Sequence, residues 1–312
     1  MAEKVSCRKA FTDVLLENGR KDHRILAVAT DSSGSVTLGD FIKQLPSQYV
    51  EMGIAEQNAV SFAAGLAATG GRVFVCGPAC FLSARAFEQV KVDVAYNKSS
   101  VVIFGVSAGV SYGPLGGTHT SLHDIAAMRA LPNLHIYAPS DAIQTRFVAD
   151  HLCKSQESAY VRVGRGDVSA VYNEHEAFEI GKAKLVCDGT DATIIAFGES
   201  VYPAKEAAAM LHAEGIQVRV LDLFTLKPFD EEAILRAARE TGAILTVEEH
   251  SVNGGLGELV AHTTAGNCPV PVEMIGFPDS EVVVGNSGEL FEYYGITKEN
   301  IARRIKKLLE RK

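Results

Sequence analysis

Residues 25–30 read I-L-A-V-A-T, a strand with no polar face. Such a strand has to be covered on both sides, which is what a parallel sheet layered between helices does. The rest of the chain keeps to that plan. Strands are expected at 72–76, 101–106, 135–138 and 160–163, the last closing a first sheet. A second set falls at 193–197, 217–222, 244–248 and 270–275. Helical patterns lie between them, at 5–17, 53–70, 84–95, 122–130 and 141–152, then 201–214, 230–240, 255–265, 287–294 and 297–310. Strands alternating with helices imply parallel βαβ units with right-handed crossovers. A chain of 312 residues exceeds one ordinary domain, and the periodicity lapses once. The expected fold is therefore two successive open, mostly parallel α/β domains, 1–167 and 183–312, joined by a linker over 168–182.

The helix over 53–70 carries Ala59, Val60, Phe62, Ala63, Ala64, Leu66, Ala67 and Ala68, which leaves it almost no polar face. A helix apolar all round is expected to be buried. Glu56 stands in its first turn, where an unpaired ionised carboxylate would cost several kcal/mol. Two partners are open to it. One is the helix N-terminus itself, which favours acids by roughly 0.3–1 kcal/mol. The other is a ligand nitrogen.

Other stretches bear on chemistry. D-S-S-G-S at 31–35 follows the carboxyl end of a strand, where open α/β sheets bind ligands, although Asp, Ser and Gly also dominate ordinary turns. The loop 105–120, G-V-S-A-G-V-S-Y-G-P-L-G-G-T-H-T, has five glycines in sixteen residues, so its backbone bends sharply or approaches something closely. Its start, Gly105-Val106-Ser107-Ala108-Gly109, matches a G-x-S-x-G nucleophile elbow, which would make Ser107 a hydrolase nucleophile. The elbow needs a helix directly after the serine, and the glycines and proline that follow forbid one. N-G-G-L-G at 253–257, after V-E-E-H, completes neither phosphate-loop pattern and reads as a tight strand-to-helix connection.

A net charge of −8 argues against a nucleic-acid surface, and the basic residues Arg303, Arg304, Lys306 and Lys307 form one face of an amphipathic terminal helix. The six cysteines include no C-x-x-C pair and lie mostly in apolar runs, so no metal site is expected from them. The start of the chain lacks a signal-peptide core, and no apolar run reaches the ~20 residues a membrane span needs. A cytoplasmic protein without membrane contact is expected.

The segment I-A-E-Q-N-A-V-S-F-A-A-G-L-A closely resembles that of transketolase-like thiamine diphosphate enzymes. The resemblance runs essentially end to end and covers the C-terminal half of transketolase: its pyrimidine-binding domain, then its small C-terminal domain. It implies that Glu56 hydrogen-bonds the cofactor's aminopyrimidine ring and that Phe81 and Phe87 pack against that ring. Asp31 would lie near the cofactor. His119 matches the histidine of the family's D-G-P-T-H segment and would assist proton movements at sugar hydroxyls. Arg8, Ser35 and Arg165 match groups that hold the phosphate end of the substrate, a task that suits the planar guanidinium fork.

Two departures lie on the substrate side. Leu115 replaces the aspartate of D-G-P-T-H, and Ser107 stands where transketolases often carry a histidine. A larger absence concerns assembly. The family's G-D-G motif, which holds Mg²⁺ or Ca²⁺ and the diphosphate, is missing, and Cys187-Asp188-Gly189 is the nearest sequence. The resemblance therefore implies one chain of a split transketolase. An N-terminal subunit would bring the diphosphate-binding domain and the metal ion, in an α2β2 heterotetramer with β–β contacts, acting on a sugar or sugar phosphate. The rival readings are the β subunit of a 2-oxo-acid dehydrogenase and a deoxyxylulose-phosphate synthase-like enzyme. G-T-H-T-S-L-H-D-I-A-A-M-R-A-L-P-N followed by A-P-S-D resembles transketolase and deoxyxylulose-phosphate synthase more than the dehydrogenase.

Overall fold

The computed structural model describes residues 4–312. Seven strands form the first sheet, in the order Thr225–Lys227, His135–Tyr137, Ala159–Val163, Val101–Val106, Arg72–Pro78, Ile25–Ala29 and Tyr49–Glu51. All neighbours are parallel except the first pair. The three strands Arg72–Pro78, Val101–Val106 and Ala159–Val163 are buried along their whole length, as layering by helices on both faces requires. The second sheet runs Val272–Phe277, Ile244–Ser251, Ala192–Ala196, Val218–Asp222, Lys184–Cys187, parallel but for its last strand.

Four expectations need correction. Ala159–Val163 lies inside the first sheet; the edge beyond it is closed by Thr225–Lys227, which comes from the second half of the chain. No local pattern signals that a three-residue strand crosses back. The segment expected as one helix over 84–95 is broken into Ala79–Ala84, Phe87–Gln89 and a π-helical Val90–Tyr96. The stretch 168–182 is no free linker. Asp167–Val168 pairs with Val5–Ser6, and the Val171 and Tyr172 N–H groups each donate to Asp141 Oδ2 at 2.9 Å. One hydrophobic cluster, with Val28 and Ile103 from the first half and Ile195 and Leu221 from the second, is shared by both sheets.

The helix Glu56–Ala68 is the fourth case. Only Glu56, Ala59, Val60 and Ala63 are buried. Phe62, Gly65 and Ala68 are exposed, as are Ile54 just before the helix and Tyr96 on the π-helical segment. The sheet covers one side of the helix; the other side, where Phe62, Gly65 and Ala68 stand among Gln57, Asn58 and Ser61, is exposed. Among the described residues, no helix is long and apolar enough to cross a membrane.

Candidate active site

The strand Ile25–Ala29 has Tyr49–Glu51 on one flank and Arg72–Pro78 on the other. The chain leaves Ile25–Ala29 for one flank and Arg72–Pro78 for the other, where Val101–Val106 lies, so a crevice opens between their carboxyl ends, the place where such sheets take ligands. A cleft of about 250 Å³ lies there, lined by Thr30, Asp31, Ser32, Ser35, Ile54, Glu56, Pro78, Phe81, Tyr112, Leu115 and His119. Each wall follows one strand of the sheet.

Glu56 opens its helix at the floor of this cleft, only 2 % exposed. Its Oε2 lies 2.9 Å from Arg85 Nη1, and the Arg85 guanidinium in turn sits 4.5 Å over the Phe81 ring. Sequence reasoning missed Arg85. The available signal was its spacing of four from Phe81, which puts both on one side of a helical turn. Asp31 is held at φ 55° with its N–H donating to Glu51 Oε1 at 2.7 Å; Gly53 N–H donates to the same oxygen at 2.9 Å. Glu51, also unforeseen, therefore ties together the turns that present Asp31 and Glu56. Two wall hydroxyls, Thr30 Oγ1 and Ser32 Oγ, are buried without a hydrogen-bond partner, the state expected of groups that await a ligand.

Behind Ser35 and Tyr112 stand two arginines that are not themselves among the lining residues. Arg8 donates to the backbone carbonyls of Ser35 and Arg165. Arg165 donates to Tyr112 Oη at 2.6 Å and lies 4.7 Å over its ring. Tyr112 Oη donates to Ser35 Oγ at 3.1 Å. Among the described residues neither Arg8 nor Arg165 forms an ion pair with a carboxylate. Burial, and then the Arg165 charge, push the Arg8 guanidinium below its usual value. Tyr112 was not singled out from the sequence; the glycines around it hid it. Its ring and that of Phe81 flank the His119 imidazole, with centroids 5.6 and 5.2 Å away. Glu56, Phe81, Asp31, Ser35 and His119 thus share one cleft, and Arg8 and Arg165 meet it only through Ser35 and Tyr112.

Two candidates stand apart. Phe87 is not among the lining residues and packs, partly buried, against the core shared by the two sheets. Ser107 has the positive φ of an elbow, 56°, but it is fully buried and its hydroxyl has no hydrogen-bond partner. No base reaches it, so the hydrolase reading fails. Among the described residues no group of three or more His, Cys, Asp or Glu is placed to hold a metal ion.

Comparison with known proteins decides the family. The transketolase pyrimidine-binding domain matches residues 3–203, and the transketolase C-terminal domain matches residues 181–301. The chain belongs to the transketolase family. One subunit of the apulose-4-phosphate transketolase of Phocaeicola vulgatus is 58% identical over 300 residues, 96% of each chain. The 6-deoxy-6-sulfo-D-fructose transketolase subunit SqwH of a Clostridium species is 38% identical over 305 residues, 98% of this chain and 95% of the relative. A solved structure described as a split gene transketolase, inactive beta4 tetramer, superposes with a TM-score of 0.90 at 38% identity, covering 99% of this chain and 100% of that one. The chain thus has the extent of the C-terminal subunit of a split transketolase, a transferase that functions with a partner subunit. These relatives favour that reading over the 2-oxo-acid dehydrogenase and deoxyxylulose-phosphate synthase alternatives.

Membership in the transketolase family implies dependence on thiamine diphosphate. The cleft suits the pyrimidine half of that cofactor. It offers a buried carboxylate, an aromatic face and unpartnered hydroxyls.

Proposed function

We propose that this chain supplies the pyrimidine side and the substrate end of a transketolase site whose diphosphate side belongs to a second polypeptide. The carrying observation is the position of Glu56: a nearly buried carboxylate facing a cleft shared with Phe81 and His119. When bound there, thiamine diphosphate supplies the nucleophilic carbon that takes up and passes on a two-carbon ketol unit. Glu56 holds a proton at a ring nitrogen. Phe81 orients the ring by its face. His119, with Thr118 Oγ1 2.8 Å from its Nδ1, keeps Nε2 for a substrate hydroxyl.

The donor is a ketose with an anionic end group, and its acceptor an aldose. Arg8 and Arg165, lacking carboxylate partners among the described residues, with Ser35 and Tyr112 beside them, support a phosphate at that end. The relatives whose names carry a phosphate or a sulfo group agree with it. Leu115, 54 % exposed at the cleft, presents an apolar surface where the family's carboxylate would stand.

The partner carries the diphosphate-binding domain with Mg²⁺ or Ca²⁺, in an α2β2 assembly with β–β contacts. The exposed apolar residues Ile54, Phe62 and Tyr96 on and beside Glu56–Ala68 support a chain-to-chain contact next to the site. Glu56→Gln, assayed with partner, cofactor and metal, should still assemble and lose ketol transfer by roughly 100-fold or more, the scale of one general acid–base group. Activity within a few-fold of the parent would reject the role.

A further inference from the structure

The segment 109–126 carries Tyr112, Leu115 and His119; residues of the first half hold those side chains, while its backbone at entry and exit is held from the second half of the chain. At its entry, Val110 N–H donates to Glu249 Oε1 at 2.8 Å, in a buried bond. Gly109 is at φ +60°, and a Cβ there would stand 2.1 Å from the Glu249 Cδ carbon. Ser287 Oγ donates to the Val110 carbonyl at 3.4 Å. At the middle, a Cβ on Gly113 would fall 2.2 Å from the Gly285 carbonyl oxygen and 2.5 Å from Leu290 Cδ1, and one on Gly116 3.3 Å from Val284 Cγ2. At the exit, Ser251 N–H donates to the Leu122 carbonyl at 3.0 Å. Ala126 N–H points at His250 Nε2, 3.4 Å away.

The glycines of this loop thus have a reason: they let the second domain's backbone and side chains lie against it. Three consecutive residues at the end of the strand Ile244–Ser251 share the work. Glu249 takes the entry, while His250 and Ser251 take the exit. Glu249 is itself fixed, because Arg162 Nη2 donates to its carbonyl at 3.1 Å and Arg162 Nε pairs with Asp124 Oδ2 at 2.9 Å. Asp124 begins the helix that ends the loop. One buried arginine therefore connects both ends of the bracket.

We propose that Glu249 is a positioning residue for ketol transfer: by receiving Val110 N–H it sets the course of the substrate loop, and with it where Tyr112 and His119 stand. This rests on the site reading above. The job of the second domain toward the site is then mechanical. It holds the substrate loop, where Glu249 accepts from Val110, and Glu249 makes no hydrogen bond to Glu56, Phe81 or Asp31.

The test uses the full chain with its partner, comparing Glu249→Ala with Glu249→Gln. Burial, with Glu199 nearby, pushes the Glu249 carboxyl up, so a neutral amide is a close mimic, and its carbonyl can accept from Val110 as well. In Glu249→Ala, hydrogen exchange at Val110 should quicken by roughly tenfold, the scale of one buried hydrogen bond. The donor KM should rise by a similar factor with thiamine diphosphate affinity unchanged. Glu249→Gln should restore both. Unchanged exchange in the alanine variant, or failure of glutamine to rescue, would overturn the proposal. Val284→Ser, at a position 63 % exposed, guards against misfolding: it should quicken exchange around Gly116 and leave Val110 alone. No local change there would count equally against the bracket. Exchange is read without turnover, so a loop that behaves as stated in a chain without ketol transfer would sink the site reading and spare the bracket.

Discussion

The proposed cofactor wall and the proposed substrate loop line one cleft but are built in different ways. The wall is local. Asp31, Glu56 and Phe81 each follow directly from a strand of one sheet, and Glu51 and Arg85 secure them from at most 29 positions away. The substrate loop is held from nearer residues, Ser35, Phe81 and Arg165, and from remote ones as well. Its remote anchors Glu249 and Ser287 lie 139 and 177 positions from Val110. A local wall can be kept by a short stretch of sequence. A loop held from another domain can shift with that domain, so substrate choice can change while cofactor binding stays. The two departures from the family pattern, Leu115 and Ser107, both fall on the substrate loop or at its root, as this division leads one to expect.

Arg165→Ala should break the symmetry of the two sides most sharply. Loss of a charge-assisted contact to an anionic end group should raise the donor KM by roughly 10- to 100-fold. A donor without that group should be little affected, and thiamine diphosphate affinity should stay at the parent's value. Steady-state kinetics with paired donors checks this; an equal loss for both donors would mean that Arg165 supports the fold instead.

A smaller effect concerns the joint on which the substrate side depends. Asp222, fully buried, accepts from Ser140 Oγ, Gln144 Nε2 and Tyr172 Oη at 2.9, 2.9 and 2.7 Å, which binds the second sheet to the first. Burial pushes its carboxyl up to about 7 from an ordinary 3.8. The folded state then holds a proton that the unfolded chain has released. Stability from this group is complete below its unfolded value and drains as pH rises toward the folded one. Stability should therefore fall between about pH 4 and about pH 7, by at most about 1.4 kcal/mol per pH unit from each such group, and the melting temperature should fall with it. Glu248, also pushed up to about 7 by burial, shares in it. Asp222→Asn keeps the acceptor and removes the titration, so its melting curve series should be flatter than the parent's.

The same division explains what could be read in advance. The apolar strands and the helices between them are period-2 and period-3.6 signals, and most of them stand where the sequence puts them. The cleft residues Asp31, Glu56, Phe81 and His119 were legible because each follows a strand or a glycine run in a motif that resembles one family. Arg85 and Tyr112 were not, since one stands in a helical run and the other in a loop whose fold depends on distant contacts. The strand Thr225–Lys227 was hidden for a related reason: three residues carry no periodicity, and its partner His135–Tyr137 lies in the other half of the chain. The exposed side of Glu56–Ala68 misled most usefully. An apolar surface reads the same in sequence whether the cover comes from its own chain or from another.

That ambiguity leads to the most direct measurement. The chain, purified alone, is compared with its mixture with a subunit carrying the diphosphate-binding domain, both with thiamine diphosphate, Mg²⁺, a ketose phosphate and an aldose. Ketol transfer should be absent from the chain alone and appear on mixing. Transfer by the chain alone at the rate of the mixture would contradict the shared site.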